Sequence, residues 1–359
     1  ILQQAMRKQQ KKIDKLFVMG CLSERYRSEL KEEIPEVDAF YGKFDFDTIL
    51  SDLQAQPVSA CGARYITTPS HYAYIKIAEG CNRACSYCAI PLITGKYKSR
   101  SIEAIEQEVK ELVAKGVSEF QLIAQDLTYY GKDLCQKFAL ADLLVRLSDV
   151  PGVKWIRLHY AYPTAFPEDV IEVMAREKKI CKYLDIPFQH ISDNQLSAMK
   201  RRHSKEDALR LIEKLRATIP DIALRTTLIT GFPGETKEQH EELLAFIDEL
   251  EFDRLGVFTY SPEEDTPAAM MPEQIDESVK EDRQADLMEL QQEIAFERAE
   301  NMVGRELLVM IEGKVADENA YVGRTYKDAP NVDGLIFVES DEELMSGDFA
   351  KVRVTGALE

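Results

Sequence analysis

Three cysteines within one run of eight residues place the strongest constraint on this chain. Cys81, Cys85 and Cys88 have the spacing Cys-x-x-x-Cys-x-x-Cys and follow an apolar strand sequence at 73–78 and Gly80. Cys thiolates are the usual ligands of iron–sulfur clusters, and glycine allows the sharp turn that the run requires. Three thiolates can hold three corners of a cubane cluster, whereas an electron-transfer ferredoxin normally supplies a fourth. The run therefore predicts a [4Fe–4S] cluster with one iron open to a small molecule.

Two other interpretations of the three cysteines are a zinc site and three unrelated core thiols. Structural zinc takes four ligands, usually as paired Cys or Cys/His clusters. The sequence has no matching second pair, and it contains only 5 His. The spacing, the position after a strand and the missing fourth ligand together favour the cluster.

Composition limits the class of protein. The chain has 359 residues, 45% hydrophobic and 30% charged, as expected for a globular protein of two or three domains. Its net charge of −18 opposes general attraction to nucleic acid and favours a basic partner. Seven Cys without a disulfide framework indicate a reducing compartment. We find no signal peptide or apolar run of transmembrane length, which predicts a soluble, cytoplasmic protein without a membrane partner.

The pattern of strands and helices predicts an α/β fold in three parts. Residues 1–60 are expected to be the C-terminal part of an α/β domain whose start is missing, because the chain begins with Ile1 rather than Met. A linker is expected at 57–70. Residues 67–297 alternate strand and helix, with strands expected at 73–78, 119–124, 154–159, 182–186, 223–229 and 254–260. Six βα units predict a parallel sheet curved into part of a barrel, with ligands at the C-terminal strand ends.

The last part of the chain, residues 300–359, has a different pattern. After a long helix at 273–302, short alternating strands are expected at 306–311, 321–324, 335–338 and 350–357, separated by glycines. This pattern predicts a small antiparallel β-barrel.

Further motifs lie where the predicted strands end. Residues 125–131 read Gln-Asp-Leu-Thr-Tyr-Tyr-Gly, residues 185–190 read Asp-Ile-Pro-Phe-Gln-His, and residues 225–235 read Arg-Thr-Thr-Leu-Ile-Thr-Gly-Phe-Pro-Gly-Glu. Together with the three cysteines and the terminal barrel, these motifs resemble the radical S-adenosylmethionine (AdoMet) methylthiotransferase family over essentially the whole chain. The segments at 252–264 and 323–334 resemble the branch that modifies a ribosomal protein.

The resemblance implies a fold and a reaction. The fold would be a cluster-binding N-terminal domain, a radical-AdoMet core and a TRAM barrel. The reduced cluster would cleave AdoMet to a 5′-deoxyadenosyl radical, and the enzyme would replace a C–H on the β-carbon of an aspartate by C–S–CH3. The implied substrate is small-subunit ribosomal protein twelve, alone or within the ribosomal subunit, with an external electron donor and a sulfur donor. Two alternatives are a tRNA adenosine methylthiotransferase and a non-catalytic iron–sulfur electron-transfer module.

Charge in the last domain helps to separate these alternatives. After Glu300, acidic residues clearly outnumber basic ones. An acidic barrel suits a basic ribosomal protein and repels the tRNA backbone, so tRNA is not the expected partner. A merely solvated acidic surface is the other interpretation.

The resemblance also assigns candidate site residues. Cys81, Cys85 and Cys88 would be the catalytic ligands of the AdoMet cluster, and Cys21 would bind a second [4Fe–4S] cluster whose other two cysteines are expected upstream of Ile1. Read alone, Cys21 is a small buried hydrophobe. The predicted cofactor contacts are Tyr87, Gln125, Asp126, Arg225, Gly231 and Gly234.

Each contact has a simpler alternative. Asp126 and Gln125 could cap the following turn, Arg225 could be in an ordinary ion pair rather than bind the AdoMet carboxylate, and the two glycines could lead into a helix. His190 could face the cavity or be structural.

Other residues are predicted to have no ligand role. Cys61, Cys135 and Cys181 match no ligand spacing and are expected to be linker, loop or core thiols. The basic run at 200–203 is expected to be a solvated helix end.

Overall fold

The computed structural model describes residues 1–53, 66–316 and 318–358. Cys61 and most of the predicted linker at 57–70 lie outside the described residues. The chain divides into two compact units, and each is described by itself. Unit 1 takes in Ile1–Tyr65, Gly80–Arg83 and Cys88–Tyr97, and unit 2 takes in Ile66–Glu79, Ala84–Tyr87 and Lys98–Glu359.

Unit 1 is a small α/β layer built on two parallel strands. Its helices are α1 (Leu2–Gln9), α2 (Cys21–Arg25), α3 (Arg27–Glu33), α4 (Phe46–Asp52) and α5 (Ile90–Thr94), and its strands are β1 (Phe17–Met19) and β2 (Ala39–Tyr41). A small apolar core joins α1, α3 and β2 through residues such as Ala5, Leu30 and Phe40.

Unit 2 contains a six-stranded sheet that confirms the predicted partial (βα)6 barrel. Its strands are β3 (Tyr72–Lys76), β6 (Glu119–Ile123), β7 (Trp155–Leu158), β8 (Ile180–Asp185), β9 (Ala223–Thr230) and β10 (Arg254–Thr259), numbered with the short antiparallel pair β4 (Ala78–Glu79) and β5 (Lys98–Ser99) between them. The six strands are parallel and pair in chain order. Every C-terminal strand end therefore lies at one edge of the sheet.

Helices cover one face of this sheet. They are α6 (Ile102–Ala114), α7 (Lys132–Cys135), α8 (Leu140–Ser148), α9 (Glu168–Arg176), α10 (Asp193–Ala198), α11 (Lys205–Thr218), α12 (Lys237–Leu250) and α13 (Glu277–Glu300), with 3₁₀ turns at Leu127–Tyr129 and Pro267–Met270. Ser204 and Thr236 begin α11 and α12 with complete capping boxes, which satisfy otherwise unpaired backbone N–H groups. None of the helices in the described ranges is long and apolar enough to cross a membrane.

The two faces of the sheet differ in chemistry because side chains alternate along a strand. On β9, Leu224, Thr226 and Leu228 are buried towards the helices, whereas Arg225 and Thr227 are partly exposed on the other face. We call this second face the inner face. It carries polar and charged side chains on several strands, which a purely structural core would not place there.

The C-terminal segment forms a four-stranded antiparallel sheet, as predicted. Its strands are β11 (Glu306–Lys314), β12 (Ala320–Arg324), β13 (Ile336–Glu339) and β14 (Phe349–Arg353), in the order β13-β12-β11-β14. An irregularity between Ile311 and Gly313 shifts the register of β11 against β12. Such a bulge bends the strand and increases its twist.

A buried ionic network joins this antiparallel sheet to the inner face of the parallel sheet. The guanidinium of Arg324 on β12 donates two hydrogen bonds to the Glu119 carboxylate, at 2.6 and 3.2 Å. Arg157 on β7 donates to the same carboxylate from 3.3 Å. All three side chains are almost fully buried. The chain after β12 is thereby held against the inner face at the beginning of β6.

Candidate active site

The cysteine run begins in unit 1, where backbone hydrogen bonds fix Cys81. Gly80 has φ +79, and a Cβ there would collide with the Lys96 carbonyl oxygen, so glycine is required. The Cys81 backbone N–H donates to Gly95 O at 3.2 Å. The Cys81 and Cys88 sulfurs each accept a backbone N–H two residues ahead at 3.4 Å. Both side chains are partly exposed, so a ligand can reach their sulfur atoms.

The middle of the run, 84–87, belongs to unit 2, where Ser86 anchors it. Ser86 is fully buried, its backbone N–H donates to Met199 O, and its hydroxyl donates to Ala198 O at 2.7 Å. These acceptors lie at the C-terminal end of α10. The neighbouring Tyr87 ring packs edge-on against Phe232, at 6.4 Å between centroids. Tyr87 thus has a packing partner on the loop after β9.

Arg201 is the main functional candidate that the sequence interpretation missed. The prediction that 200–203 is a solvated helix end is wrong for Arg201 and His203, which are buried, although Lys200 and Arg202 are exposed. The Arg201 Nη1 lies 3.8 Å from Cys85 Sγ, and its guanidinium lies 4.2 Å from the Tyr162 ring centroid. The only sequence signal was that this Arg lies shortly after the loop at 185–190.

The donor set fits an iron–sulfur cluster. Each of the three sulfurs accepts an N–H hydrogen bond, from a backbone N–H for Cys81 and Cys88 and from Arg201 for Cys85. Hydrogen bonds to sulfur are one of the means by which proteins tune such clusters. Within the described part of the chain, no three His, Cys, Asp or Glu side chains converge as ligands of a single metal ion. A cubane binds each thiolate to a different iron and does not need that convergence.

Gln125 and Asp126 follow β6 at the C-terminal edge. Asp126 is buried, and its Oδ1 accepts from the backbone N–H of Thr128 at 3.0 Å and from its hydroxyl at 2.6 Å. This is the capping arrangement that was the alternative to a cofactor contact. The Gln125 amide donates to Glu79 at 3.4 Å, and its Oε1 has no hydrogen-bond partner among the described residues. Of the two side chains, Gln125 is therefore the one with a polar atom left for a ligand.

The loop after β9 is built around Glu235. Gly231 and Gly234 both have positive φ, which favours glycine, and the Gly231 N–H donates to the Glu235 carboxylate. Arg283 Nη1 lies 3.3 Å from that carboxylate. His190 is fully buried, its Nδ1 accepts two backbone N–H groups, and its Nε2 lies 3.6 Å from Glu235. His190 therefore has the structural role that was the alternative to a cavity role.

Arg225 lies deeper in the sheet than the other predicted cofactor contacts. It lies five positions before Thr230 at the end of β9, about 17 Å along a strand. Its Nη1 donates to Asp333 at 2.7 Å, and its Nε lies 3.8 Å from Asp185. The structure thus places Arg225 in an ion pair with the segment after β12.

The remaining cysteines differ in environment. Cys21 is exposed and begins α2, a helix that contacts α5, which itself begins two residues after Cys88. Cys135 is exposed and its thiol donates to Gly131 O at 3.2 Å. Cys181 is buried, and burial raises the pKa of its thiol to about 11. Cys181 is therefore an unreactive core thiol, as expected.

Two family models match the chain. The Radical SAM superfamily matches residues 75–247, and the TRAM domain matches residues 303–359. The ribosomal protein uS12 methylthiotransferase RimO of Phocaeicola vulgatus is 52% identical over 99% of this chain and 83% of its own length. The RimO of Lachnoclostridium phytofermentans is 49% identical over 100% of this chain and 85% of its own length. The chain belongs to the RimO family.

A solved structure supports the fold independently. The cobalamin-dependent S-adenosylmethionine radical enzyme OxsB, with aqua-cobalamin and S-adenosylmethionine bound, is similar over 77% of this chain and 43% of its own, with a TM-score of 0.51. At 10% identity, this likeness concerns the fold alone. Membership of the RimO family and the radical SAM superfamily implies a 4Fe–4S cluster and AdoMet as cofactors.

Proposed function

We propose that this RimO family member transfers a methylthio group to the β-carbon of an aspartate in ribosomal protein uS12. The strongest support is the similarity to relatives named as uS12 methylthiotransferases. About half of the residues are identical, and the similarity extends over nearly the whole of this chain. The three cysteines, with a hydrogen bond to each sulfur, would hold the cluster that cleaves AdoMet. When bound, that cluster would supply the electron for reductive cleavage of AdoMet.

The residues around the cysteines would bind and orient the cofactor. Arg201 would face the carboxylate of AdoMet, because its buried guanidinium lies beside Cys85 and suits a carboxylate. Gln125 Oε1 is a candidate acceptor for its amino group. The positive-φ turn at Gly231 and Gly234 would let the backbone approach the nucleoside closely, with Tyr87 packed beside it. Asp126 would support the turn after β6.

A second cluster is part of the proposal. Cys21 would be one of its ligands, because it is exposed at the start of a helix that contacts the helix following Cys88. The second cluster would handle the sulfur to be inserted. A sulfur donor and an external electron donor are the other partners that we infer.

Surface charge supports a basic protein substrate. Glu339, Asp341, Glu342 and Glu343 are exposed at the end of β13 and in the loop after it. By contrast, basic side chains on β14 are paired, since Lys351 and Arg353 both contact Glu306. This distribution attracts a basic ribosomal protein and disfavours tRNA. A ribosomal substrate also supports the predicted cytoplasmic location.

The test begins with the chain reconstituted anaerobically with iron and sulfide. Adding AdoMet and dithionite should yield 5′-deoxyadenosine, and adding uS12 should yield a protein in which one hydrogen is replaced by a methylthio group, as measured by mass spectrometry. Transfer RNA is the parallel substrate control. A cluster that forms without AdoMet cleavage would favour the electron-transfer alternative, and modification of tRNA alone would favour the tRNA alternative.

A further inference from the structure

Asp185 is a buried carboxyl group on the inner face that the proposed mechanism does not use. It ends β8 and is 5% exposed. Its carboxyl accepts a backbone hydrogen bond from Tyr160, but Oδ1 has no hydrogen-bond partner in the described part of the chain. The nearest cation is Arg225, whose Nε is 3.8 Å away and beyond hydrogen-bond distance. A buried polar atom without a partner is costly unless water or a ligand satisfies it.

Arg225 is held so that part of its guanidinium remains available. Asp333 accepts from Arg225 Nη1 at 2.7 Å and from the Tyr183 hydroxyl at 2.9 Å, which fixes one edge of the group. The Nη2 points towards Gly256 on the neighbouring strand, where a methyl group would lie 3.8 Å away. Because Gly256 has no side chain, the space beside Nη2 is left for another group.

His159 is a nearby buried residue that adds no charge to the surroundings of Asp185. Its Nε2 lies 2.8 Å from the amide oxygen of Gln121, so the imidazole donates from Nε2. Burial, and then the nearby Arg157 and Arg225, lower the pKa of His159 to about 3. The ring is therefore neutral at physiological pH. The charged groups that face Asp185 are Arg225 and Asp333.

The inner face is accessible from the C-terminal edge of the sheet. On β9 and β10, Thr227, Ile229 and Gly256 are partly exposed along the same face as Arg225. Phe258 at the end of β10 and Tyr160 after β7 are 61% and 56% exposed. Exposed aromatic side chains around a polar centre are typical of a surface that receives a peptide.

We propose that Asp185 and Arg225 bind the side-chain carboxyl of the aspartate that is modified. This inference rests on the proposed function and names the residues that select its substrate. The Arg225 Nη2 would donate to the incoming carboxylate, and protonated Asp185 would donate its O–H to the same group. The substrate β-carbon would then be held beside this pair, on the side that faces the C-terminal edge.

The protonation state of Asp185 agrees with this role. Burial raises its pKa to about 6, partly offset by Arg225. A second carboxylate beside it raises that pKa further, because two like charges cannot both ionise at close range. Binding of the substrate should therefore take up a proton and weaken as the pH rises. An asparagine in place of the target is neutral and has one acceptor oxygen for two donors, so it loses the charge-assisted hydrogen bond and should bind more weakly.

The experiment measures binding rather than turnover. The anaerobically reconstituted chain is titrated into fluorescently labelled uS12 and into uS12 in which the modified aspartate, located by mass spectrometry, is replaced by asparagine. The wild-type chain should prefer the aspartate form about 10–100-fold, as for a hydrogen bond to a charged group. Arg225→Lys keeps the charge but loses the planar fork, and should reduce the preference to less than about 3-fold. Arg210→Lys, on the exposed face of α11, is the matched control and should retain it.

Asp185→Asn is the second variant, and it tests the proposal even if Arg225→Lys fails to fold. In the wild type, the preference should fall by up to about tenfold per pH unit between the pKa of free Asp185, about 6, and the higher pKa that it has in the complex. Asp185→Asn should show the same preference at every pH. A folded Arg225→Lys chain that keeps the wild-type preference, or an Asp185→Asn chain that keeps the pH dependence, would overturn the proposal.

The outcomes also separate this inference from the proposed function. A wild-type chain that neither binds nor modifies uS12 contradicts the proposed function, and this inference with it. A wild-type chain that modifies uS12 but binds the aspartate and asparagine forms equally contradicts the inference alone. If Arg225→Lys loses AdoMet binding but keeps the preference for the aspartate form of uS12, then Arg225 binds the cofactor and not the substrate.

Discussion

The guanidinium of Arg201 lies 3.8 Å from the sulfur of Cys85 and is almost completely buried. A cationic N–H donor beside a ligand sulfur stabilises added negative charge on a cluster and so raises its reduction potential. Arg201→Met should therefore lower the reduction potential, which makes the cluster harder to reduce. AdoMet cleavage should fall by about 10–100-fold, the usual effect of removing a group that supports a metal ligand. Redox titration followed by electron paramagnetic resonance, with and without AdoMet, measures the change. Arg202→Met, an exposed neighbour, is the control, and an equal loss in both variants would contradict the role of Arg201.

Variants of Cys85 and Cys21 should distinguish the two proposed clusters by their effects on AdoMet cleavage. Cys85→Ala removes one ligand of the AdoMet cluster and should abolish formation of 5′-deoxyadenosine. Cys21→Ala should leave that reaction intact, because the residue is assigned to a different cluster. Liquid chromatography of 5′-deoxyadenosine measures both variants, and Cys135→Ala controls for loss of an exposed thiol. Equal loss in Cys85→Ala and Cys21→Ala would be incompatible with the two-cluster assignment.

Glu119 should be a major determinant of stability. Its carboxylate lies buried between Arg157 and Arg324, and these cations hold its pKa below the usual value although burial alone would raise it. Glu119→Gln removes the carboxylate partner of Arg157 and leaves Arg324 with Glu312 alone, and it should cost about 3–5 kcal/mol. Chemical denaturation under anaerobic conditions measures the free energy of unfolding. Glu306→Gln, which breaks exposed pairs with Lys351 and Arg353, should have little effect.

The parallel strands could be predicted because their burial is a matter of local sequence. Apolar runs such as 119–124 and 223–229 have the length and composition of buried strands, and the observed β6 and β9 differ from them by one residue at one end. The three cysteines and the turn at Gly80 could also be predicted, because the cysteine spacing and the need for a positive φ are local properties. The short pair β4 and β5 was not predicted, because a strand of two residues is too short to show a periodic pattern.

Arg201 and the ionic network could not be predicted for a different reason. Arg201 lies in a basic run that looks solvated, but its side chain is buried. Its guanidinium contacts the Tyr162 ring, the Pro187 carbonyl oxygen and the Cys85 sulfur, all of which are distant in sequence. Arg324 and Glu119 are separated by 205 residues, so no local pattern connects them. Their pairing depends on where the antiparallel sheet packs. Long-range contacts of buried charges are therefore the part of this site that required a structure.

His159 should make the fold sensitive to acid. Burial is the largest cause of its low pKa, about 3, whereas an unfolded histidine titrates near 6.5. Between these values the unfolded chain binds more protons than the folded chain, so stability falls as the pH decreases below about 6.5. His159→Gln removes this proton uptake, so the variant should gain about 1–2 kcal/mol relative to wild type between pH 7.5 and pH 5. Anaerobic denaturation followed by circular dichroism at several pH values gives the difference. His240→Gln is the matched control, because His240 is also buried but its Nε2 lies 3.1 Å from the Asp286 carboxylate. A constant difference between His159→Gln and wild type across this range would show that His159 is not kept neutral by its burial.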